Sequence, residues 1–438
     1  MIKTFRVTVL VGMVLVMPNV MADDLMTIYK KALLADPILK VSEFKVAMGE
    51  AQRGQAGGAL LPQIHANINL SMNDRTTTGF ENTGYKGERY NVSLTQSVID
   101  FEKYWNWDRA KEVGRQYKAE NKEAEQVLIV DVVERYFKAV EARDEYVLIQ
   151  QEKQSTEKQL QQFKKQYKKQ IIKITDVLEI EAKLNGLEAD EIESEALYVI
   201  AKEGLRELTG ENVETLSKLK TDIEFTPIEG DVEQWIEQAI STNPGLLAKQ
   251  KSTAAALSGV AQQKSGHLPT VDIQLTYYFS NTGFEARQQP ESETLVAGLN
   301  MSVPIFSGGA TTRRADEANQ KLEMVRQESI AKSRQIYMET KAHFLSTNAS
   351  LRRIKAAQKA LESSVKSRNA MEKGFKYGVQ TIGDVLMSQA REFRSKKDLL
   401  QAKYLYIKSK MRFKRVVGTI NKESLQELNA WLEPKKVF

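Results

Sequence analysis

The side chains able to do chemistry at neutral pH are thinly spread along this chain. Its three histidines, His65, His267 and His343, are far apart, and there is no cysteine. Imidazole and thiolate are the usual metal ligands and bases at this pH, and they work in clusters at fixed spacing. No metal-ligand spacing and no nucleophile motif is present, so the residues predict no enzyme, no cofactor and no metal site. His65 reads as a polar residue beside water rather than as a ligand. One charged run stands out: Lys164, Lys165, Lys168, Lys169 and Lys173. On a helix such a run is ordinarily a solvated face, and its functional use would be as a basic rim for an acidic partner.

Around these residues, two β-hairpins and the long helices after them organise the chain. From Gln63 to Met72, Ile64, Ala66, Ile68, Leu70 and Met72 alternate strictly with Gln63, His65, Asn67, Asn69 and Ser71. Period two marks a strand with two different faces. A return strand runs Tyr90 to Thr95, and after Ile99 the period becomes helical for over a hundred residues. The unit recurs: Val271, Ile273, Leu275, Tyr277 and Phe279 alternate with Asp272, Gln274, Thr276 and Tyr278. Its return strand puts Leu295, Ala297, Leu299, Met301, Val303 and Ile305 on one face.

The recurrence is a tandem duplication. Pro37 and Pro244, Pro62 and Pro269, and Ser97 and Pro304 are each 207 apart, and Asp176 and Asp384, like Gly210 and Gly418, are 208 apart. The expected division is a segment 1–22, a first repeat 23–218 (hairpin about 62–99, long helices about 101–209), a linker 219–230, a second repeat 231–425 (hairpin about 268–306, long helices about 310–417) and a C-terminal segment 426–438. Each repeat opens on a short amphipathic helix ended by a proline, 24–37 and 231–244. The segments 211–235 and 419–438 read as a modest outer layer on the helices.

Composition agrees with this plan. The nine prolines leave 63–226 and 305–433 uninterrupted, so long helices are allowed. A helix from Phe101 to about Lys169 would run roughly 100 Å at ~1.5 Å per residue, and so must lie beside others as long. Ile129, Val133, Tyr136, Val140 and Val147 form a heptad seam interrupted by Arg143, with Val130 and Phe137 opening a second seam. Residues 1–22 (Lys3, Arg6, the apolar run Val7–Met17 and Val20-Met21-Ala22) read as a secretory signal peptide. Its removal takes the net charge from +6 to +4 (61 basic minus 57 acidic), which calls for no nucleic acid. Without cysteine the chain has no disulfide and no lipid-modified cysteine as an anchor.

Taken alone, the helices would suit a soluble coiled-coil rod. The strands argue otherwise, because about 10 residues with one apolar and one polar face is the pattern of a tilted strand crossing a bilayer. The loops 73–88 and 280–292 are polar, as aqueous hairpin ends are. Four strands cannot close a barrel and open edges are not tolerated in lipid, so the chain must assemble with copies of itself.

This order of elements resembles the TolC family of outer-membrane efflux and type I secretion channels. The segments carrying the likeness are LPQ and LPT at Leu61 and Leu268, LTQSVID (94–100), VPIFSGG (303–309), ITDV (174–177) and TIGDVL (381–386). The resemblance implies an α+β membrane protein in the outer membrane, extending into the periplasm. Three copies would form a 12-stranded β-barrel and a 12-helix α-barrel of coiled-coil helices, a homotrimer set in outer-membrane lipid. Its implied partners are a periplasmic adaptor protein and an inner-membrane transporter, ABC or proton-driven, and transport through it is passive.

The resemblance also implies a closed end where the paired helices turn, latched by hydrogen bonds and lined by acidic rings. Carried over by motif, Thr175 and Asp176 match the first turn and Asp384 matches a ring aspartate, while Lys168, Lys169 and Gly378 are adaptor-docking candidates. Three Asp384 side chains near one axis would raise one another's pKa and favour cations. Departures are specific: Met387 stands where a second aspartate is usual, Phe375 for a hydrogen-bonding tyrosine, Gln380 for an arginine, and Gln170 for the glycine kept as Gly378. They predict a single ring and a less tightly latched resting channel. The alternative, a periplasmic coiled-coil adaptor, would need one central hairpin of helices with flanking β-domains, not two equal halves.

Overall fold

The computed structural model of the chain describes residues 23–283 and 287–433. The segment read as a signal peptide, 1–22, and Pro434 lie outside the described residues.

Two short helices, α1 (Leu25–Ala35) and α2 (Pro37–Gly58), lead into strands β1 (Gln63–Arg75) and β2 (Thr83–Ile99), then the long helices α3 (Phe101–Lys168) and α4 (Ile174–Thr209). The second half follows the same plan: α5 (Val232–Thr242), α6 (Pro244–Lys264), β3 (Thr270–Thr282), β4 (Gln288–Ser302), α7 (Ala310–Lys376) and α8 (Ile382–Val416), with α9 (Lys422–Ala430) after it. The fold is mostly helical and tandem-duplicated.

Three expectations are corrected. The prolines start the second helix of each repeat instead of ending the first: Pro37 and Pro244 take the first helical position, where the missing N–H costs nothing. Asp36 and Asn243 cap them, accepting backbone N–H groups at Leu39 and Leu246 from 3.1 Å. The hairpin loops are shorter than 73–88 and 280–292, because β1 and β2 pair as far as Arg75 with Thr83, and β3 and β4 as far as Thr282 with Gln288. Main-chain ladders tolerate the polar Asn73 and Asp74, and Gly84, there. Finally, Val303 and Ile305 lie beyond β4, which ends at Ser302.

The four strands make one antiparallel sheet in the order β1-β2-β3-β4, with β1 and β4 at open edges. Several rows of paired side chains are of one character. Ile64, Leu94, Leu275 and Ala297 share a row, as do Ala66, Val92, Tyr277 and Leu295. The alternate rows are polar: Gln63, Thr95, Gln274 and Gly298, then Asn67, Asn91, Tyr278 and Thr294. The apolar face is uncovered within the chain, with Ile68 70% and Leu299 69% exposed.

Beside the sheet, the helices stand in the order α2, α3, α6, α7; farther away the order is α4, α3, α8, α7. Helix α7 therefore forms one edge of the layer throughout, and α2 then α4 form the other. The main core lies between these two regions. The α3 seam residues Ile129, Val133, Tyr136, Phe137 and Val140 pack there with Leu205 and Leu208 of α4 and Tyr404, Ile407 and Met411 of α8. Arg143 is part of this packing: it is buried, donates to the carbonyl of Leu216 and pairs with Asp144, while Tyr404 donates to the same carboxylate at 2.6 Å. The outer layer contributes Val213, Leu216, Ile420, Leu425 and Leu428 to the same core. Among the described residues no helix is long and apolar enough to cross a membrane.

Candidate functional site at the helix turns

The end remote from the sheet is built by the turns α3–α4 and α7–α8. A small apolar cluster holds them together: Phe163, Val177, Ile180, Ile382 and Val385 are buried, with Phe375 and Met371 packed against them. Phe375 stacks on Phe163, ring centroids 5.6 Å apart and planes 15° from parallel. The position lacking a phenol thus makes an offset-stacked aromatic contact.

Both turns close the same way. The N–H of Ile171 reaches the carbonyl of Gln166 at 3.0 Å and that of Gln170 reaches Tyr167 at 2.8 Å; Val379 to Gly374 and Gly378 to Phe375 repeat the pattern at 2.9 Å each. These are paired terminal bonds that require a left-handed residue after the helix. Gly378 supplies it with φ 76°, and Gln170 adopts φ 58°. Among the described residues Gln170 is the only non-glycine with positive φ.

Asp384 sits in the first turn of α8. Its carboxylate accepts from the Thr381 N–H at 2.9 Å and hydroxyl at 2.7 Å, while the Thr381 hydroxyl oxygen accepts from the Asp384 N–H at 3.2 Å. This reciprocal cap stabilises the helix start. The Thr381 hydroxyl, with its backbone N–H, holds the Asp384 carboxyl below the ordinary aspartate pKa. Asp176 makes only half of such a cap, accepting from the Lys173 N–H at 3.2 Å, since a lysine side chain has no acceptor. Beside the α8 start stands Glu179, whose carboxyl lies 3.6 Å from where a Cβ on Gly383 would be.

The remaining candidates scatter around this frame. Thr175 is exposed in the first turn of α4, and Met387 is 64% exposed one turn beyond Asp384. Gln380 folds back over Gly374, its Cγ 2.7 Å from the position a Cβ there would take. Lys168 and Lys169 are exposed at the C-terminus of α3, where cations complement the helix dipole. Lys164 pairs with Glu181 at 3.2 Å, whereas Lys165, Lys168, Lys169 and Lys173 have no carboxylate partner among the described residues. Sequence reasoning overlooked Phe163 and Thr381. The Thr-x-x-Asp spacing could have revealed Thr381; Phe163 carried no local signal. The three histidines lie in β1, the turn before β3, and α7, and among the described residues no three potential ligands gather.

The model of the outer membrane efflux protein family matches residues 28–211 and again 235–419, one match per repeat. The chain is 28% identical to the outer membrane protein TolC of Vibrio cholerae over 422 residues, covering 95% of each. It is 22% identical to the proteases secretion protein PrtF of Dickeya chrysanthemi, covering 95% of this chain and 93% of PrtF. In structure it superposes on the outer membrane channel CmeC of Campylobacter jejuni with a TM-score of 0.80 at 14% identity, covering 93% of this chain and 90% of CmeC. With both repeats matched in full-length register, this chain belongs to the outer membrane efflux protein family and is an outer-membrane exit duct for efflux or type I secretion.

Proposed function

We propose that the duct is a homotrimer. Three copies of the four-stranded sheet, three times four, supply 12 strands for a closed barrel in outer-membrane lipid, and the helices continue it as a periplasmic cylinder. The observation carrying this reading is the sheet itself: two open edges and an uncovered apolar face in one chain. The apolar face calls for lipid to cover it, and in lipid the open edges are not stable unless further strands complete the ring. Residues 23–218 and 231–425 are read as its two structural repeats, joined by 219–230.

The helical edges support the same assembly. On α4, Ala189, Ile192, Ala196 and Val199 form an exposed small-apolar stripe at heptad spacing, flanked by exposed Asp190, Glu193 and Glu195. On α7, the small residues Ala349, Ala356 and Ser363 form a matching exposed stripe, flanked by exposed Arg352, Arg353, Lys355 and Lys359. Counted from their turns, the acids lie 17 to 22 residues from Lys173 and the bases 18 to 25 residues from Tyr377, so both sets stand at one height. The acidic edge of one copy suits the basic edge of the next.

In this reading the tip is the constriction, with Asp384 as a single ring, and a periplasmic adaptor and inner-membrane transporter dock there, the adaptor against Lys168, Lys169 and the Gly378 turn. Transport is passive, with energy supplied by the transporter. The absence of native cysteine makes the assembly test direct. Asn67→Cys on β1 is paired with cysteines introduced singly along β4 around Thr294, and the membranes are oxidised. Crosslinks stopping at the trimer support the reading; monomers only, or ladders without end, contradict it.

A further inference from the structure

Just beneath the sheet, helices α2, α3, α6 and α7 enclose a groove of about 910 Å³ on one side of their layer. Each presents a stripe at helical spacing, with Arg109 on α3 and Arg314, Glu317 and Lys321 on α7. A cavity that touches both flanking helices, α2 and α7, as well as the two between them lies on the concave side. In the trimeric duct, on which this inference rests, the concave side is the lumen wall.

The lining is chemically lopsided. Three cations, Arg109, Arg314 and Lys321, face one carboxylate, Glu317. Arg109 donates only to Asn106, at 2.9 Å, and Arg314 to Thr311, at 3.3 Å, and none of the three cations has an ion-pair partner among the described residues. Their charge is thus free for something passing through. Between them the floor is alanine, glycine and valine, with the ring of Tyr117 at its side. Small apolar residues with an aromatic ring accept a flat hydrophobic body, and guanidinium groups match sulfonate or carboxylate oxygens. The volume falls in the range of small-molecule sites.

We propose that this groove is a transit subsite for amphiphilic organic anions, three per duct, which concentrates aromatic sulfonates and carboxylates on the wall above the narrow tip. Cations gain nothing there. The subsite is separate from the turns and from Asp384, and it biases the exported cargo towards anionic amphiphiles.

The test is blockade of single-duct current in a planar bilayer by naphthalene-1,5-disulfonate, with 1-naphthylmethylammonium as the cationic probe. The expected result is block by the disulfonate at concentrations about tenfold lower for the wild type than for Arg109→Gln/Arg314→Gln/Lys321→Gln, the size of a few exposed charge contacts. Glu317→Gln, which removes the opposing charge and needs no refolding, is expected to strengthen the block. Equal block of wild type and both variants, or equal block by the ammonium probe, overturns the subsite and leaves the duct standing. Absence of any conductance overturns the duct and the subsite together.

Discussion

Phe375 of α7 and Phe163 of α3 stack at 5.6 Å, tying the two helical hairpins together at their tip. Aromatic pairs of this kind contribute about 0.5–1.5 kcal/mol beyond their burial. In the proposed constriction this contact would serve as an apolar clasp in place of a phenolic hydrogen bond. Phe375→Ala is therefore expected to raise the resting open probability in planar-bilayer recordings and to speed hydrogen exchange around residues 163–172. Unaltered conductance and exchange would mean that the stack holds nothing shut.

The left-handed Gln170 predicts a gain on substitution. A non-glycine residue in this region costs roughly 1–2 kcal/mol. Gln170→Gly is expected to recover about 1 kcal/mol in thermal unfolding of the tip followed by hydrogen exchange, and Gly378→Ala, at φ 76°, to lose a similar amount.

The cap at Asp384 predicts a pH effect of definite sign. Thr381 lowers the folded-state pKa below the ordinary value of 3.8, so the cap's contribution is present above that value and fades as pH falls through the lower, folded one. Thr381→Ala should move the Asp384 titration back up towards 3.8, read by carboxyl chemical shifts in the isolated chain. The proposed ring would bring three such carboxylates together and oppose the lowering, so a trimer should titrate higher than the monomer.

Charge reversal tests the helical edges. Arg352→Glu, Arg353→Glu, Lys355→Glu and Lys359→Glu together should reduce the trimer fraction in native electrophoresis, as should Asp190→Lys, Glu193→Lys and Glu195→Lys. The two sets combined should restore it. Exposed pairs are worth only about 0.2–1 kcal/mol each, so the effect should weaken in high salt.

The basic rim has its own test. Reversing Lys168 and Lys169 to Glu should weaken recovery of an adaptor in pull-down, and unchanged recovery would leave these residues as partners of the α3 dipole alone.

Much of this architecture is legible in the sequence because its signals are periodic. Alternation from Gln63 to Met72, the proline-free stretches and the 207-residue offset each report a physical constraint repeated many times. Single events are harder to see. The strands run past their apolar pattern into Asn73, Asp74 and Arg75, since ladder bonds need only the backbone. Pro37 looked like a terminator because the sequence alone does not distinguish the end of one helix from the start of the next. Phe163 and Phe375, 212 residues apart in sequence, meet only through tertiary packing. The Asp384 cap depends on local geometry, the bonds it makes with Thr381 three residues before it.

The most direct measurement is planar-bilayer conductance of the purified trimer, wild type against Asp384→Asn. A trimeric duct with one aspartate ring predicts steady, cation-selective openings whose selectivity falls in the variant. Identical selectivity would contradict the ring, and well-folded trimers that pass no current would contradict the duct itself.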